Sequence, residues 1–474
     1  MKKIGIIGAG FSGTMTAVNL IRNTAEDIEI ILVDDKRTLH KGIAFEPYSK
    51  QHLLNVTTAK MSAFNDDKDH FLNWTMEHEN YSNKDRNIIA DSFLPRYLYG
   101  QYLAQIWNDV TSLEKTAKTK ITYIDGLVTD LDASDQDACM YINDGQVIRV
   151  DACIITSGNN APGNPKIKNE GFYRSPNYFQ NPWTKASVSN TDAKKPILIV
   201  GNGLTMVDTV LGLRENGFDN EIYSISPNGF NILPHRHNGF VYTKLIDELK
   251  DDASFLDIVK LFNKHIKLIR EFGLSAEPVV DSLRPHTQKI WQRLTQREKK
   301  IFISRFRNLW GVARHRIPLH IYDKLQKQRI DDKLNIRAGK LLDINEKNGI
   351  VEVEYFNKKA QRKEYLEVSR VINCTGPETD LERIEGSFLN KALKKGIVTQ
   401  DEFKLGINAD SNTYHVLNKY GDQIKSLFTI GSSLRGMLWE STAVNELRQQ
   451  AEKLAKVILT LTFQQKESEL LASY

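Results

Sequence analysis

Cysteine is scarce here: three in 474 residues, Cys139, Cys153 and Cys374. None stands in a CxxC pair, which excludes a locally spelled zinc site and a dithiol–disulfide redox centre. Cys153 and Cys374 each lie in an apolar run and read as small core residues. Such usage suits a reducing cytosol, so a cytoplasmic location is expected. Long apolar runs are also missing. No stretch approaches the roughly 18–20 residues of a membrane span, and the short apolar start after Met1 runs straight into glycines. Excess charge is small: 64 Lys and Arg against 59 Asp and Glu leave +5. Spread over this length, that makes no case for nucleic acid or a membrane surface. With 41% hydrophobic and 26% charged residues, collagen, a disordered chain and a disulfide scaffold are excluded. What remains is a globular chain with material for two or three domains of about 150 residues each.

What is present begins at the N-terminus. Residues 4–7 read as a short buried strand, followed by Gly8, Gly10 and Gly13 in GxGxxG spacing and a helical run from Thr14. A second strand over 28–33 ends in Asp34 and Asp35, and Asp34 lies 21 positions past Gly13, close to the spacing of about 20 in a dinucleotide fold. Gly8 makes the tight turn, Gly10 lets backbone approach a pyrophosphate, and Gly13 lets the helix sit close on the strand. The helix N-terminus offers unpaired N–H groups and a positive dipole end to phosphates. The carboxylate ending the second strand accepts hydrogen bonds from ribose. Asp34 is preferred to Asp35 because it directly follows the apolar run.

A second unit of this kind starts at 196–200, with Gly201, Asn202, Gly203, Leu204 and Thr205 leading into a helix, and a further strand over 221–226. Met206 takes the third glycine position, and the strand ends in Ser226-Pro227-Asn228-Gly229 without an acid for a 2′-hydroxyl or an arginine for a 2′-phosphate. A nicotinamide nucleotide is expected here; a degenerate structural repeat is the alternative. Two apolar strands end in small-residue turns, at Thr156-Ser157-Gly158 and Thr375-Gly376-Pro377. Such ends suit a chain that leaves one nucleotide domain and later re-enters it. Near the C-terminus a strand ends in Gly431, and Ser441 or Thr442 can cap a helix with apolar residues at helical spacing from Val444 to Ile458. Its positive end would favour negative charge on a bound ligand.

These landmarks, with segments 5–20, 42–67, 93–103, 197–209, 310–318, 371–380 and 431–451, resemble the two-dinucleotide-binding flavoproteins. Within them the chain is similar to the bacterial FAD/NAD(P)-binding (YdhS-like) group, related to flavin-dependent and N-hydroxylating monooxygenases. The resemblance implies FAD in the first domain and NADPH or NADH in the inserted one. Gly8, Gly10, Phe11, Ser12 and Gly13 would hold the pyrophosphate and Asp34 the ribose. Val128 would meet adenine through its backbone. Arg96, Asn55, Met61 and Ser62 would lie along FAD, with Gly158 and Gly376 at the two strand ends. Gly431 and Trp439, with Glu440 beside it, would flank the flavin ring. Gly201, Gly203, Leu204 and Thr205 would hold the second nucleotide. The group's usual Ser-Arg-Arg-Gly turn is Ser226-Pro227-Asn228-Gly229 here, which bears on NADPH preference. Asn445 replaces the group's usual proline. A Baeyer–Villiger linker motif is not legible over 160–190.

The expected architecture is α/β: two Rossmann-like dinucleotide-binding domains of the three-layer ββα type, the second inserted in the first, with a helical excursion. Residues 1–185 would form the first part of the FAD domain, with a long excursion from about 40 to 110. Residues 190–345 would form the inserted domain, including a helical segment over 243–320. Residues 346–474 would return to the FAD domain, with Val351-Glu352-Val353-Glu354 on the way back. His70 and Trp74 read as a packing pair on one helix face. Two basic clusters, His235-Arg236-His237 and Arg314-His315-Arg316, suit nucleotide phosphates or an anionic substrate as well as they suit a salt-bridged surface; both lack metal-ligand partners. No catalytic acid or base is legible, and no metal is expected. The family implies an FAD-dependent oxidoreductase, foremost a monooxygenase in which NAD(P)H reduces FAD and a C4a-peroxyflavin passes oxygen from O2 to a small molecule. The alternatives are a flavin reductase or dehydrogenase without oxygen insertion, and a non-catalytic flavin-binding regulator. Substrate and oligomeric state are not readable.

Overall fold

The computed structural model describes residues 1–112, 118–236 and 240–472. It divides into two compact units. One joins Met1–Asn160 to Glu378–Tyr474; the other is the continuous stretch Ala161–Pro377.

The first unit is built on a six-stranded sheet. Its order is His415–Leu417, Gln423–Thr429, Ala152–Ile155, Lys2–Ile7, Ile28–Asp34 and Thr119–Asp125. All neighbours are parallel except the first pair. The central strands are continuous apolar runs because both faces are covered. Alternation sorts their side chains: Ile4 and Ile6 enter a core with Met15, Val18 and Leu20 of the helix Phe11–Asn23. Ile7, Ile31 and Val33 enter the opposite core with Leu131, Met140 and Val150. Those last residues belong to an antiparallel meander, Val128–Ala133, Ala138–Ile142 and Val147–Val150. Gly5 lets the meander approach, since a Cβ there would lie 2.6 Å from the Met140 methyl. The helix Val444–Ala472 lies on Phe11–Asn23, on the helical face.

The second unit has a seven-stranded sheet in the order Arg362–Val368, Ile350–Asn357, Leu334–Lys347, Ile222–Ser226, Ile197–Val200, Arg370–Asn373 and Tyr178–Phe179. The long strand Leu334–Lys347 is parallel to Ile222–Ser226 in its first half and antiparallel to Ile350–Asn357 in its second. This corrects the sequence reading in which 351–354 returns to the first domain. The crossings fall just past Gly158 and Gly376, not at 185–190 and 345–346. Tyr178–Phe179 pairs with Val371 and Ile372, so both flanks of the expected insertion are strands of its own sheet. Over 243–298 the chain is helical, with four short α-helices and the longer Phe255–Glu271 running from Lys244–Glu248 to Gln296–Ile301. Ser254 with Asp257 and Thr295 with Glu298 form capping boxes. Leu245, Ile269, Val279 and Leu283 close a separate small core there, as a helical packing layer would.

Candidate functional site

In the first unit the chain leaves Lys2–Ile7 through Gly8, whose φ is +97°. Its N–H donates to Val33 O at 2.9 Å, and a Cβ would stand 2.5 Å from the Thr156 carbonyl oxygen. Only glycine fits. Gly13 is fixed for a different reason: a Cβ there would be driven onto the Gly8 carbonyl. Gly10 is unlike both. Its Cβ would meet protein only at Gly42, 3.4 Å away, so the space before it is open. Gly10 caps Phe11–Asn23 with no side-chain hydrogen bond and no acid in the first turn. The arrangement leaves a cradle sized by missing side chains, under helical N–H groups, which fits a pyrophosphate. Phe11 is buried and Ser12 partly so at the start of that helix.

Asp34 ends its strand beside this loop. Its carboxylate accepts from Ala9 N–H at 2.6 Å and from Asp35 N–H at 2.8 Å. Burial pushes the Asp34 carboxyl above its ordinary pKa, against the pull of those two N–H groups. A carboxylate has about four acceptor positions, which leaves room for ribose hydroxyls. Asp35 is spent locally: it caps Lys36–Thr38 and pairs with Arg37, which holds its pKa down at about 2. Beyond it lies a cavity of about 520 Å³ lined by Asp35, Lys36, Arg37, Asp125, Gly126, Leu127 and Asn143. Val128, buried, follows directly. The cavity adjoins Asp34 on the side where the sequence reading expects the adenosine end of a dinucleotide.

The segments that the sequence reading expects at the flavin ring are tied together by the C-terminal helix. Arg448 donates to Ser62 O at 2.9 Å, and Gln450 accepts Gly431 N–H at 2.9 Å. Gln450 also donates to Ser441 Oγ, which donates to Gly431 O at 2.6 Å. Ser441 therefore ties the glycine turn instead of capping the helix. Gly431 has φ +88°, and a Cβ there would lie 3.2 Å from Ser12 Oγ. Ser432 donates to Gly158 O at 2.8 Å. The structure thus gathers Met61, Ser62, Ser12, Gly158 and Gly431 around one helix start. Trp439 is buried at φ +62° and ψ −65°, with Glu440 N–H donating to Leu438 O at 2.8 Å. That is a γ-turn of the strained hand, and Arg435 lies 5.0 Å over the Trp439 ring. Arg96 is held by Nε on Leu53 O at 3.0 Å and its N–H on His52 O at 2.9 Å. Asn55, partly buried, lies in the same segment.

Three supporting residues went unread in the sequence. Thr156 Oγ donates to both Ile7 O and Gly8 O, at 3.0 and 2.7 Å. Thr14 Oγ donates to Ala9 O at 3.0 Å and lies 3.3 Å from His40 Nδ1. His40, stacked on Trp107 with centroids 4.4 Å apart, donates its N–H to Ala9 O at 2.8 Å. Burial lowers its pKa to about 4. Their only sequence signal is position: Thr156 ends a noted strand, while nothing marks His40 or Thr14.

The second unit repeats the turn. Gly201 has φ +104°, donates to Ile225 O at 2.8 Å, and a Cβ would strike the Cys374 carbonyl. Gly203 caps Leu204–Glu215 with no side-chain hydrogen bond, and a Cβ there would meet nothing within 4 Å. Leu204 and Thr205 open the helix, and Gly376, at φ +91°, also faces open space. The cradle fits a second pyrophosphate. Of the two basic clusters, one residue each is held by acids. Arg316 is buried on Glu277 and Asp281, and His235 Nδ1 lies 3.7 Å from Glu277. His237 lies outside the described residues. His70 bonds Tyr102 OH at 2.8 Å and Trp74 packs against Phe71.

Residues 5–160 match the family model described as FAD-NAD(P)-binding. That stretch, about a third of the chain, resembles this family. No curated protein matches the chain. Solved structures match it across nearly its whole length. An ornithine N-hydroxylase of Kutzneria sp. 744, KtzI-FADred-NADP+-L-orn, is 13% identical with TM-score 0.65, covering 97% of this chain and 99% of its own. L-lysine 6-monooxygenase from Pseudomonas syringae is 15% identical with TM-score 0.61, covering 96% and 98%. A bacillithiol disulfide reductase from Staphylococcus aureus is 11% identical with TM-score 0.54, covering 97% and 99%. At these identities the likeness is one of fold: two sheet-and-helix regions of the bipartite Rossmann-like kind. Among the described residues no group of His, Cys, Asp and Glu could hold a metal, and no helix is long and apolar enough to cross a membrane.

Proposed function

We propose that this flavoprotein, an FAD-dependent oxidoreductase, is an NAD(P)H-using monooxygenase acting on a small molecule. The observation that supports it most is that one chain carries two cradles of the same build, each a glycine turn opening onto a bare helix start. One extends into a ring wall made from 61–62 and 431–441. Bound FAD supplies hydride acceptance and oxygen chemistry. Gly10, Ser12 and the Phe11–Asn23 N-terminus hold its pyrophosphate, Asp34 its ribose, and Gly431, Met61 and Ser62 its ring. Arg448 and Gln450 keep those walls in place. The start of Val444–Ala472 favours negative charge at the ring's end.

Two of the three thiols, Cys153 and Cys374, are buried and give electrons no route out. Burial pushes Cys153 and Cys374 up to about 12, so neither is a thiolate near neutral pH. That disfavours a disulfide-reducing role. The likeness of fold to the ornithine N-hydroxylase and to L-lysine 6-monooxygenase supports the monooxygenase reading. The second reading is a dehydrogenase that inserts no oxygen.

Stopped-flow absorbance separates the two. The FAD-loaded protein is reduced anaerobically by NADH or NADPH and mixed with oxygenated buffer. A blue-shifted transient, distinct from both oxidised and reduced flavin, is expected. Direct return to oxidised flavin, with and without candidate amines and small heterocycles, overturns the monooxygenase reading in favour of the dehydrogenase. Failure of both nucleotides to bleach the flavin overturns both readings.

A further inference from the structure

The two units can be laid over each other strand by strand. In the first, Asp34 pairs with Asp125, and the register shifts from Val128 onward, three positions past Asp125. In the second, Ser226 pairs with Ala338, and the register shifts from Leu341 onward, three positions past Ala338. Ser226 is therefore the counterpart of Asp34, and the 226–229 turn that of the 34–37 turn. The turn that closes each meander also corresponds. In the first unit it starts at Asn143, whose N–H donates to Leu127 O at 3.0 Å and which lines the adenosine cavity. In the second the hairpin runs two residues further, so the turn starts at Lys358, whose N–H donates to Ala338 O at 2.9 Å, level with Ser226.

The chemistry of the two places is opposite. An aspartate at the strand end accepts from a ribose hydroxyl and repels a phosphate. Ser226 carries no charge, and its hydroxyl oxygen is engaged by Gly229 N–H at 3.0 Å. Gly229 itself lies on Ala338, with a Cβ position 2.9 Å from the Ala338 methyl. Pro227 and Asn228 add no charge. Of the nearby cations, Arg337 is used up: it donates to Tyr355 OH at 2.6 Å, sits 4.7 Å over Tyr223 and lies 3.5 Å from Glu364. Arg362 and Lys363 pair with Glu364 and Glu354. Lys358 and Lys359 are exposed, and neither forms an ion pair among the described residues.

We propose that Lys358 reads the 2′-phosphate of the nicotinamide nucleotide, so that this protein uses NADPH in preference to NADH. The selecting cation comes from the meander turn, in place of the strand-end arginine that the 226–229 turn lacks. The proposal rests on the oxidoreductase reading for the presence of a nicotinamide nucleotide, but binding tests it without turnover.

Calorimetry on the full-length, FAD-loaded protein compares adenosine 2′,5′-bisphosphate with adenosine 5′-monophosphate. The bisphosphate is expected to bind about tenfold or more tightly, a margin typical of one charge-assisted phosphate contact and one that shrinks with added salt. Lys358→Ala should erase that margin while leaving monophosphate affinity and FAD content unchanged; Lys358→Arg should keep it. The double variant Lys358→Ala, Lys359→Ala excludes substitution of one lysine by its neighbour. Equal binding of the two ligands by the natural protein, or an undiminished margin in the double variant, overturns the proposal. Anaerobic flavin reduction separates this from the broader reading. Faster reduction by NADH sinks the Lys358 assignment alone, whereas no reduction by either nucleotide sinks the oxidoreductase reading.

Discussion

Three glycines of one motif obey three different constraints, and substitution should sort them. Gly8 is fixed by its φ of +97° and by the Thr156 carbonyl, Gly13 by the Gly8 carbonyl, and Gly10 by neither. Gly10→Glu should therefore fold, because the protein leaves its side-chain direction open, yet retain no flavin, because that direction is the pyrophosphate's. Gly13→Ala should lose stability outright, by about 1–3 kcal/mol for an overpacked site. Circular dichroism melts and the flavin-to-protein absorbance ratio check both. A yellow Gly10→Glu protein would refute the first site. His40 has a pH consequence. Its pKa in the folded protein, about 4, lies below the ordinary 6.5 because it is buried. Unfolded chains take up a proton below pH 6.5 that the folded chain refuses. The stabilisation is thus fully present above 6.5 and is lost as pH falls toward 4. Between pH 7 and 5 the loss from this one group is about 2 kcal/mol. His40→Asn suits the left-handed backbone there, at φ +65°, and removes the titration. Urea midpoints at the two pH values should fall less for the variant than for the natural protein. Parallel falls would assign the pH dependence to other groups.

Elements show what was and was not legible. The strand, glycine turn and helix at each nucleotide site were readable because each is local, fixed within about 30 residues by apolar runs and turn chemistry. The strand ends at Thr156 and Cys374 were readable for the same reason, and they mark the real crossings between units. The crossing positions themselves were misplaced because Ile350–Asn357 and Tyr178–Phe179 are strands whose partners are set by long-range register. An alternating run such as 351–354 says that a strand has one buried face, not which sheet it joins. The same limit hid the role of the last helix. Its apolar spacing was plain, but Arg448 and Gln450 looked like solvated polar residues. Each instead enters the protein, at 8% and 3% exposure, to hold a backbone group distant in sequence. Likewise, the basic clusters at 235 and 316 were visible as charge, but not the pairing of His235 and Arg316 with Glu277 and Asp281, which lie on a helix about 40 positions away from each.

At the scale of the whole chain, the interruption of one unit by another leaves a measurable trace. The second unit is continuous, has its own sheet and core, and its two flanking strands pair with each other through Tyr178 and Val371. The first unit is discontinuous, but its broken ends meet: Asn160 Nδ2 donates to Glu378 O at 3.1 Å. Its sheet does not need the insertion either, because Ala152–Ile155 pairs directly with Gln423–Thr429 across the break. Closing a loop of a few residues costs little entropy, growing by only about 0.6 kcal/mol per doubling of length. A chain in which 1–160 is joined to 378–474 by a short Gly-Ser linker should therefore fold and bind FAD. Apart from Gly376, every candidate residue for that cofactor is present in it, from Gly8 and Asp34 to Arg448 and Gln450. It should be yellow, unfold cooperatively, and gain thermal stability on addition of FAD, while no nicotinamide nucleotide reduces it. Residues 161–377 expressed alone should fold without flavin and should bind adenosine 2′,5′-bisphosphate. If the joined chain folds but stays colourless, the flavin depends on the excised unit and the site drawn within the first unit is incomplete. If it is yellow and NADPH still bleaches it, hydride transfer does not require the second cradle, and the division of labour between the two units is wrong.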